Sequence, residues 1–276
     1  MAFTGPYTEL TICKECNEAR YFDNTNQPRK SFPYIPVTAV LQYMNGKAAS
    51  AKLLETYPKA FFEQPLDTPP EKISDWWDGK RYRELRREGF FTSSTDIAFQ
   101  IQFDGFQLTK RKQHSTTPVI LLNLNLPPEI RHRKQNIICP FIIPGPTKYK
   151  NLDSFLQPLV DELNTLGKPN GIDTYNAYQR RNFGLRAYAV LISGDGPAIS
   201  EAIGMKAPGN AIKPCRFCEV EATRAPNNHY YVPHPKEPSA TSRPLRLRTN
   251  LRQTIELAMA SGAGDMEGMT SLIFKT

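Results

Sequence analysis

The chain has 276 residues, 39% of them hydrophobic, which suffices for one large domain or two small ones with a substantial core and excludes a wholly disordered protein. A net charge of +8 suits an anionic partner, nucleic acid or a membrane surface, but is equally found on soluble basic proteins. No apolar run approaches the length of a membrane span, no basic-then-apolar leader opens the chain, and five cysteines in two close pairs plus one single fit metal and a reduced compartment, cytosol or nucleus, better than a disulfide framework.

Cys13-Lys14-Glu15-Cys16 comes first. A Cys-x-x-Cys turn can offer two thiolates to Zn²⁺, but a structural site needs four ligands and none lies nearby, so half of a zinc knuckle and a free thiol pair are both open. Pro36 to Tyr57 carries Val37, Val40, Leu41 and Met44 at helical spacing, with Gly46 as a possible divide. The run from Asp78 to Arg87 is strongly basic. Arg81, Arg83 and Arg86 are candidates for DNA-backbone contact, against the plainer reading of a solvated helix face. Together these make residues 1–92 a basic, partly helical region.

Residues 93–208 read as the core. Ile97 to Asp104 alternates: Ile97, Phe99, Ile101 and Phe103 share one face, Gln100, Gln102 and Asp104 the other. Lys110, Arg111 and Lys112 follow in a hairpin-like connection. Pro118 to Leu126 is a second strand, stopped by Pro127-Pro128, and Arg131, Arg133 and Lys134 fill the next turn. Asn136 to Ile143 is a third strand, weakened by Pro140. Leu152, Phe155, Leu156, Leu159, Val160 and Leu163 make one helical stripe, with Pro158 expected to kink or shorten it. A fourth strand runs to Ser193 and ends at Gly194-Asp195-Gly196-Pro197, before a short helix from Ala198 to Met205.

Three strands, a helix, a parallel fourth strand and a further helix is the order of an RNase H-like core, an α/β fold with a mixed sheet. In that core two acids from neighbouring strands hold divalent metal over a phosphodiester. Asp104 and Asp195 are the candidates here for Mg²⁺ or Mn²⁺, with catalytic roles, and Glu256, Asp265 or Glu267 for a third carboxylate, Glu256 foremost. The plainer reading makes both aspartates turn formers.

Residues 209–276 hold Cys215-Arg216-Phe217-Cys218, then His229 and His234, a Cys-x₂-Cys-x₁₀-His-x₄-His pattern with the ligand types for one tetrahedral Zn²⁺. A shared Cys₄ site with Cys13 and Cys16 is the alternative, and an unrelated cysteine pair with surface histidines a third. A zinc-binding insertion is therefore expected beyond the core. Arg246 and Arg248 lie in a last basic run before a helix from Thr249 to Ala260, and with Lys110, Arg111, Lys112, Arg131, Arg133 and Lys134 they are further candidates for nucleic-acid contact.

Asp104-Gly105-Phe106-Gln107-Leu108, Asn125-Leu126-Pro127-Pro128-Glu129-Ile130-Arg131 and Ile143-Pro144-Gly145-Pro146, followed by Leu152 to Val160, Gly194-Asp195-Gly196-Pro197-Ala198 and the Cys215–Cys218 pair, together resemble Tnp2-like transposases of CACTA-type DNA transposons, abundant in plants and mushroom-forming fungi. The resemblance implies cut-and-paste strand cleavage and transfer. It implies Asp104 and Asp195 as the first two acids, and a zinc-binding insertion beginning at Cys215 and Cys218. It implies double-stranded DNA with terminal inverted repeats as partner, self-assembly, and the nucleus as location. It also makes the chain a partial or truncated copy. Two further readings stand beside the enzyme: a non-catalytic, zinc-containing DNA-binding protein on the same fold, and a basic structural module without specific chemistry.

Overall fold

The computed structural model describes residues 1–103, 105–107, 115–145, 148–206, 208–215 and 220–232. They form two compact units, the first Met1–Ser193 and the second beginning at Gly194.

The first unit opens with a short 3-10 turn, Gly5–Tyr7, and a loop in which Ile12 bridges Ala19 and Tyr21 bridges Pro28. Helices α1 (Val37–Asn45) and α2 (Ala48–Phe62) follow, divided at Gly46 as expected. No side chain within α1 caps its start. Glu162, from a distant helix, does so instead, accepting from the Val37 and Thr38 N–H groups at 2.9 and 2.7 Å and from the Tyr34 hydroxyl. A 3-10 turn, Trp76–Asp78, then leads into α3 (Lys80–Arg87).

The sheet contains β1 (Ile97–Phe103), β2 (Phe106–Gln107), β3 (Ser115–Asn123) and β4 (Ile137–Ile143), the last preceded by a single turn, α4 (Pro128–Arg131). Helix α5 (Leu152–Leu166), a hairpin of β5 (Ile172–Asn176) and β6 (Arg181–Leu185), and β7 (Ala187–Ser193) complete the unit. The strands run β4–β3–β1–β7, with β2 paired to the start of β3. The first pairings are antiparallel and β1–β7 is parallel. This is a mixed sheet with helices, consistent with an RNase H-like core.

Register assigns the faces. Ile101 pairs with Leu121, Phe103 with Val119, and Val119 with Phe141, so these apolar side chains share one face. Helix α5 covers that face. The ring of Phe32 lies 5.7 Å from Phe141 and 5.4 Å from Phe155 of α5, joining the two layers. On the opposite face Ala98 and Leu124 pack under Trp77, Tyr82 and Phe91. The indole of Trp77 meets the Tyr82 ring edge-on at 5.0 Å. Burying rings this size contributes about 1.5–3 kcal/mol each.

Prolines sit inside regular elements, and each is accommodated differently. Pro140 falls where β4 carries an extra residue against β3, a bulge between the pairs Val119↔Phe141 and Leu121↔Ile138. Pro158 does not shorten α5, which runs unbroken from Leu152 to Leu166. Proline lacks the N–H that would bond the carbonyl four residues back. That carbonyl, on Ser154, takes the hydroxyl of Thr4 instead. Pro58 inside α2 orphans the Leu54 carbonyl, and the Asn125 side chain fills it at 3.1 Å. Both helices are thus completed by donors from distant sequence.

The second unit begins with α6 (Gly196–Ala202), then a 3-10 turn Pro208–Asn210 and a small hairpin, β8 (Thr223–Arg224) with β9 (Tyr230–Tyr231).

Candidate nucleic-acid interface

A cleft of about 510 Å³ opens in the first unit, lined among others by Ser74, Asp75, Trp76, Arg81, Gln100 and Arg131. One wall is a buried polar lock. The guanidinium of Arg131 grips Asp75 through two bonds, 2.9 and 2.6 Å, with both side chains only 7% exposed. The remaining donors of Arg131 reach the carbonyls of Leu126 and Leu124, and the Tyr57 hydroxyl donates to Asp75 at 2.6 Å. Burial alone would raise the Asp75 carboxyl. Arg131, Tyr57 and the Trp76 N–H outweigh it and hold the group below the ordinary carboxylate range. Burial, with Asp75 beside it, pushes the Tyr57 phenol up.

Asn125 is the second lock. Its Oδ1 accepts from the Ala98 N–H at 2.9 Å, and its Nδ2 donates to the carbonyls of Leu54 and Asp96. The side chain so joins α2, the entry to β1 and the exit of β3. Leu122, Leu124 and Leu126 alternate in sequence with Asn123 and Asn125, a pattern that suggests an inside and an outside. In the structure β3 ends at Asn123 and both asparagines are fully buried. Arg186 clamps Asp96 nearby through two bonds of 2.9 Å. Asp75, Asp96, Asn125 and Tyr57 carry no sequence signature of their roles, because each role is defined by a partner far away in the chain.

The expected basic contacts divide. Arg131 faces inward and is not a surface cation. In α3, Arg81 pairs with Glu84 and Glu88, Arg83 donates to the Asp78 carbonyl, and Arg86 donates to the Phe62 carbonyl while lying 4.1 Å over the Phe62 ring. Arg133 and Lys134 are exposed. Lys110, Arg111, Lys112, Arg246 and Arg248 lie outside the described residues.

The metal expectations are overturned. Among the described residues no group of three or more His, Cys, Asp or Glu side chains is placed to hold a metal ion. The described residues therefore assemble neither the expected Mg²⁺ or Mn²⁺ site nor the expected zinc-binding insertion. Cys13 is buried in the first unit. Burial would raise its thiol, but the Glu15 and Cys16 N–H groups, the Cys16 thiol and the N-terminal ammonium lower it. Cys16 is exposed. Cys215 and His229 belong to the second unit, where His229 is exposed in the turn between β8 and β9 and its N–H donates to Asn227. Asp195 caps α6, its Oδ1 accepting from the Ala198 N–H at 2.7 Å. Asp104, Cys218, His234 and Glu256 lie outside the described residues, as do Asp265 and Glu267. A regular Cys/His spacing supplies ligand types, whereas convergence is a matter of tertiary structure.

A family model described as transposase family tnp2 matches residues 71–261, well over half of the chain. The chain belongs to the tnp2 transposase family. A search of the curated proteins finds no match. Within this tnp2-family chain the matched stretch contains the whole sheet and three of the four residues that make the two locks, Asp75, Asn125 and Arg131, while Tyr57 precedes it. The motif Asn125-Leu126-Pro127-Pro128-Glu129-Ile130-Arg131, which carried much of the resemblance, thus has a structural explanation here: both its ends are buried hubs.

Proposed function

We propose that this chain is a DNA-binding protein of transposase descent that grips duplex DNA through its phosphate backbone. Membership of the tnp2 family carries the reading, and a net charge of +8 supports it. The finer parts rest on the likeness to CACTA-type elements: terminal inverted repeats as the preferred DNA, assembly of more than one copy on it, and a nuclear location. Strand cleavage is not part of the proposal. Asp195, the described acid of the expected pair, is engaged as a helix cap.

The test is fluorescence anisotropy of the full chain with a short labelled duplex across a salt series. Phosphate contact makes log affinity fall linearly with log salt, by about 0.9 for each phosphate neutralised. A measurable affinity near 50 mM salt that declines this way is the expected result. No binding even at low salt would sink the reading.

A further inference from the structure

The hairpin β5–β6 carries little signal in the sequence. Ile172, Thr174 and Asn176 alternate with Asp173 and Tyr175 over too short a run, and the turn at 177–180 has no glycine or proline. The hairpin is nonetheless firmly seated. The Ala177 N–H donates to the Asn45 carbonyl at 2.9 Å, at the end of α1, and Asn176 Oδ1 accepts from the Tyr178 and Gln179 N–H groups within the turn. Beneath it Glu55 of α2 is buried and takes its hydrogen bonds from amides, Gln179 at 2.5 Å and Asn176 at 3.5 Å.

That arrangement leaves the surrounding cations without acidic partners. Lys47, Lys52, Arg180 and Arg181 are all exposed, and among the described residues none of them forms an ion pair. Two exposed tyrosines lie among them. The Lys47 ammonium stands 4.0 Å over the Tyr43 ring, and the Lys52 ammonium 5.9 Å from the Tyr178 ring. Tyr43 is 64% exposed and Tyr178 43%. Arg181 is steadied by Gln179, its Nε donating to the amide oxygen at 2.6 Å. Arg180 holds φ +55°, a left-handed conformation that an arginine adopts only when its neighbours impose it. Its guanidinium bonds to nothing else among the described residues.

We infer that this patch, where the β5–β6 turn meets α1 and α2, is the seat of a DNA phosphate backbone. Lysine, arginine and tyrosine side chains are the usual donors to backbone oxygens, and such contacts position the duplex without reading its sequence. The turn is fixed by hydrogen bonds on its inner side, so the cations are displayed on a framework that need not be ordered on binding. The inference rests on the DNA-binding reading and names where that binding occurs.

The experiment compares the full chain with two variants in the salt series above. One is Lys47→Gln, Lys52→Gln, Arg180→Gln and Arg181→Gln together. The other is a control, Lys59→Gln, Lys80→Gln and Arg87→Gln, removing cations that are paired to Glu63, Glu84 and Asp67. The patch variant should reduce the salt slope by about 3 to 4 and weaken affinity at least roughly tenfold, and the control should stay within about twofold. Thermal unfolding checks that both remain folded. A second pair, Lys52→Glu with Arg180→Glu, disturbs no hydrogen bond of the described chain and should weaken binding in the same direction. If the unaltered chain binds DNA and the patch variants bind equally well, the placement is wrong and the function stands. If the unaltered chain does not bind, both fail.

Discussion

Helix α3 carries five cations and the patch around the β5–β6 turn four, and they are used oppositely. In α3 the charges fall within a single eight-residue helix, and the chain itself consumes them. Arg81 bonds glutamates of its own segment, Arg83 and Arg86 bond backbone carbonyls, and Arg87 bonds the Leu66 carbonyl and Asp67. Around the turn the charges come from two separate segments, Lys47 and Lys52 from one, Arg180 and Arg181 from the other. Their local carboxylate is already satisfied by amides. A basic run in sequence is therefore a poor guide to a basic surface. What matters is whether acceptors of the same chain lie within reach, because an internal partner discharges the local field and an absent one leaves it for a ligand.

The largest effect expected from breaking this contrast comes from the cation that is most deeply spent. Arg131→Leu leaves the buried Asp75 carboxylate and two carbonyls without their donor, and should cost about 3–5 kcal/mol in denaturant unfolding. Next is Asn125→Asp, which turns a donor into an acceptor facing the Leu54 and Asp96 carbonyls. A loss of about 2–3 kcal/mol is expected, with the helix around Pro58 losing protection in hydrogen exchange. Neutralising the patch should affect DNA and not stability, at least tenfold in affinity, or about 1.4 kcal/mol.

A smaller effect is expected with pH. The folded Asp75 carboxyl titrates below its unfolded value. Its contribution is therefore complete above the unfolded value, near pH 4, and is lost as pH falls through the lower folded one. Melting curves taken downward from pH 5 should show this loss, and Asp75→Asn should flatten that acid limb while lowering stability at neutral pH. An acid limb unchanged by the substitution would remove Asp75 as its source. The smallest effect belongs to the paired α3 cations: Lys80→Gln with Arg87→Gln should alter stability by no more than about 0.5 kcal/mol, since both pairs are exposed.

Much of the fold was legible in the residues. The alternation of Ile97, Phe99, Ile101 and Phe103 and the stripe from Leu152 to Leu163 gave β1 and α5, since a period of two or of 3.6 is set by local geometry. The parallel placement of β7 beside β1 agreed with the order of elements. The site was less legible. The Cys-x-x-Cys pairs and the histidines suggested a metal centre that the described residues do not assemble. Pro158 is expected to kink or shorten its helix, yet α5 runs on to Leu166, and Thr4, over 150 positions away, donates to the carbonyl that the proline leaves free.

By itself the sequence determined the four central strands, the long amphipathic helix, the basic balance of charge and the family. Each of these depends on neighbouring residues, on totals, or on an ordered set of motifs. Tertiary structure alone decided which asparagines are buried, which prolines are tolerated, and which arginines remain available to an anion. Those outcomes depend on where the donors and acceptors of distant segments meet. A side chain such as Arg131 or Arg180 has the same chemistry in either case; the partner brought to it by the fold makes Arg131 a buried brace, while exposed Arg180 has no ion-pair partner among the described residues.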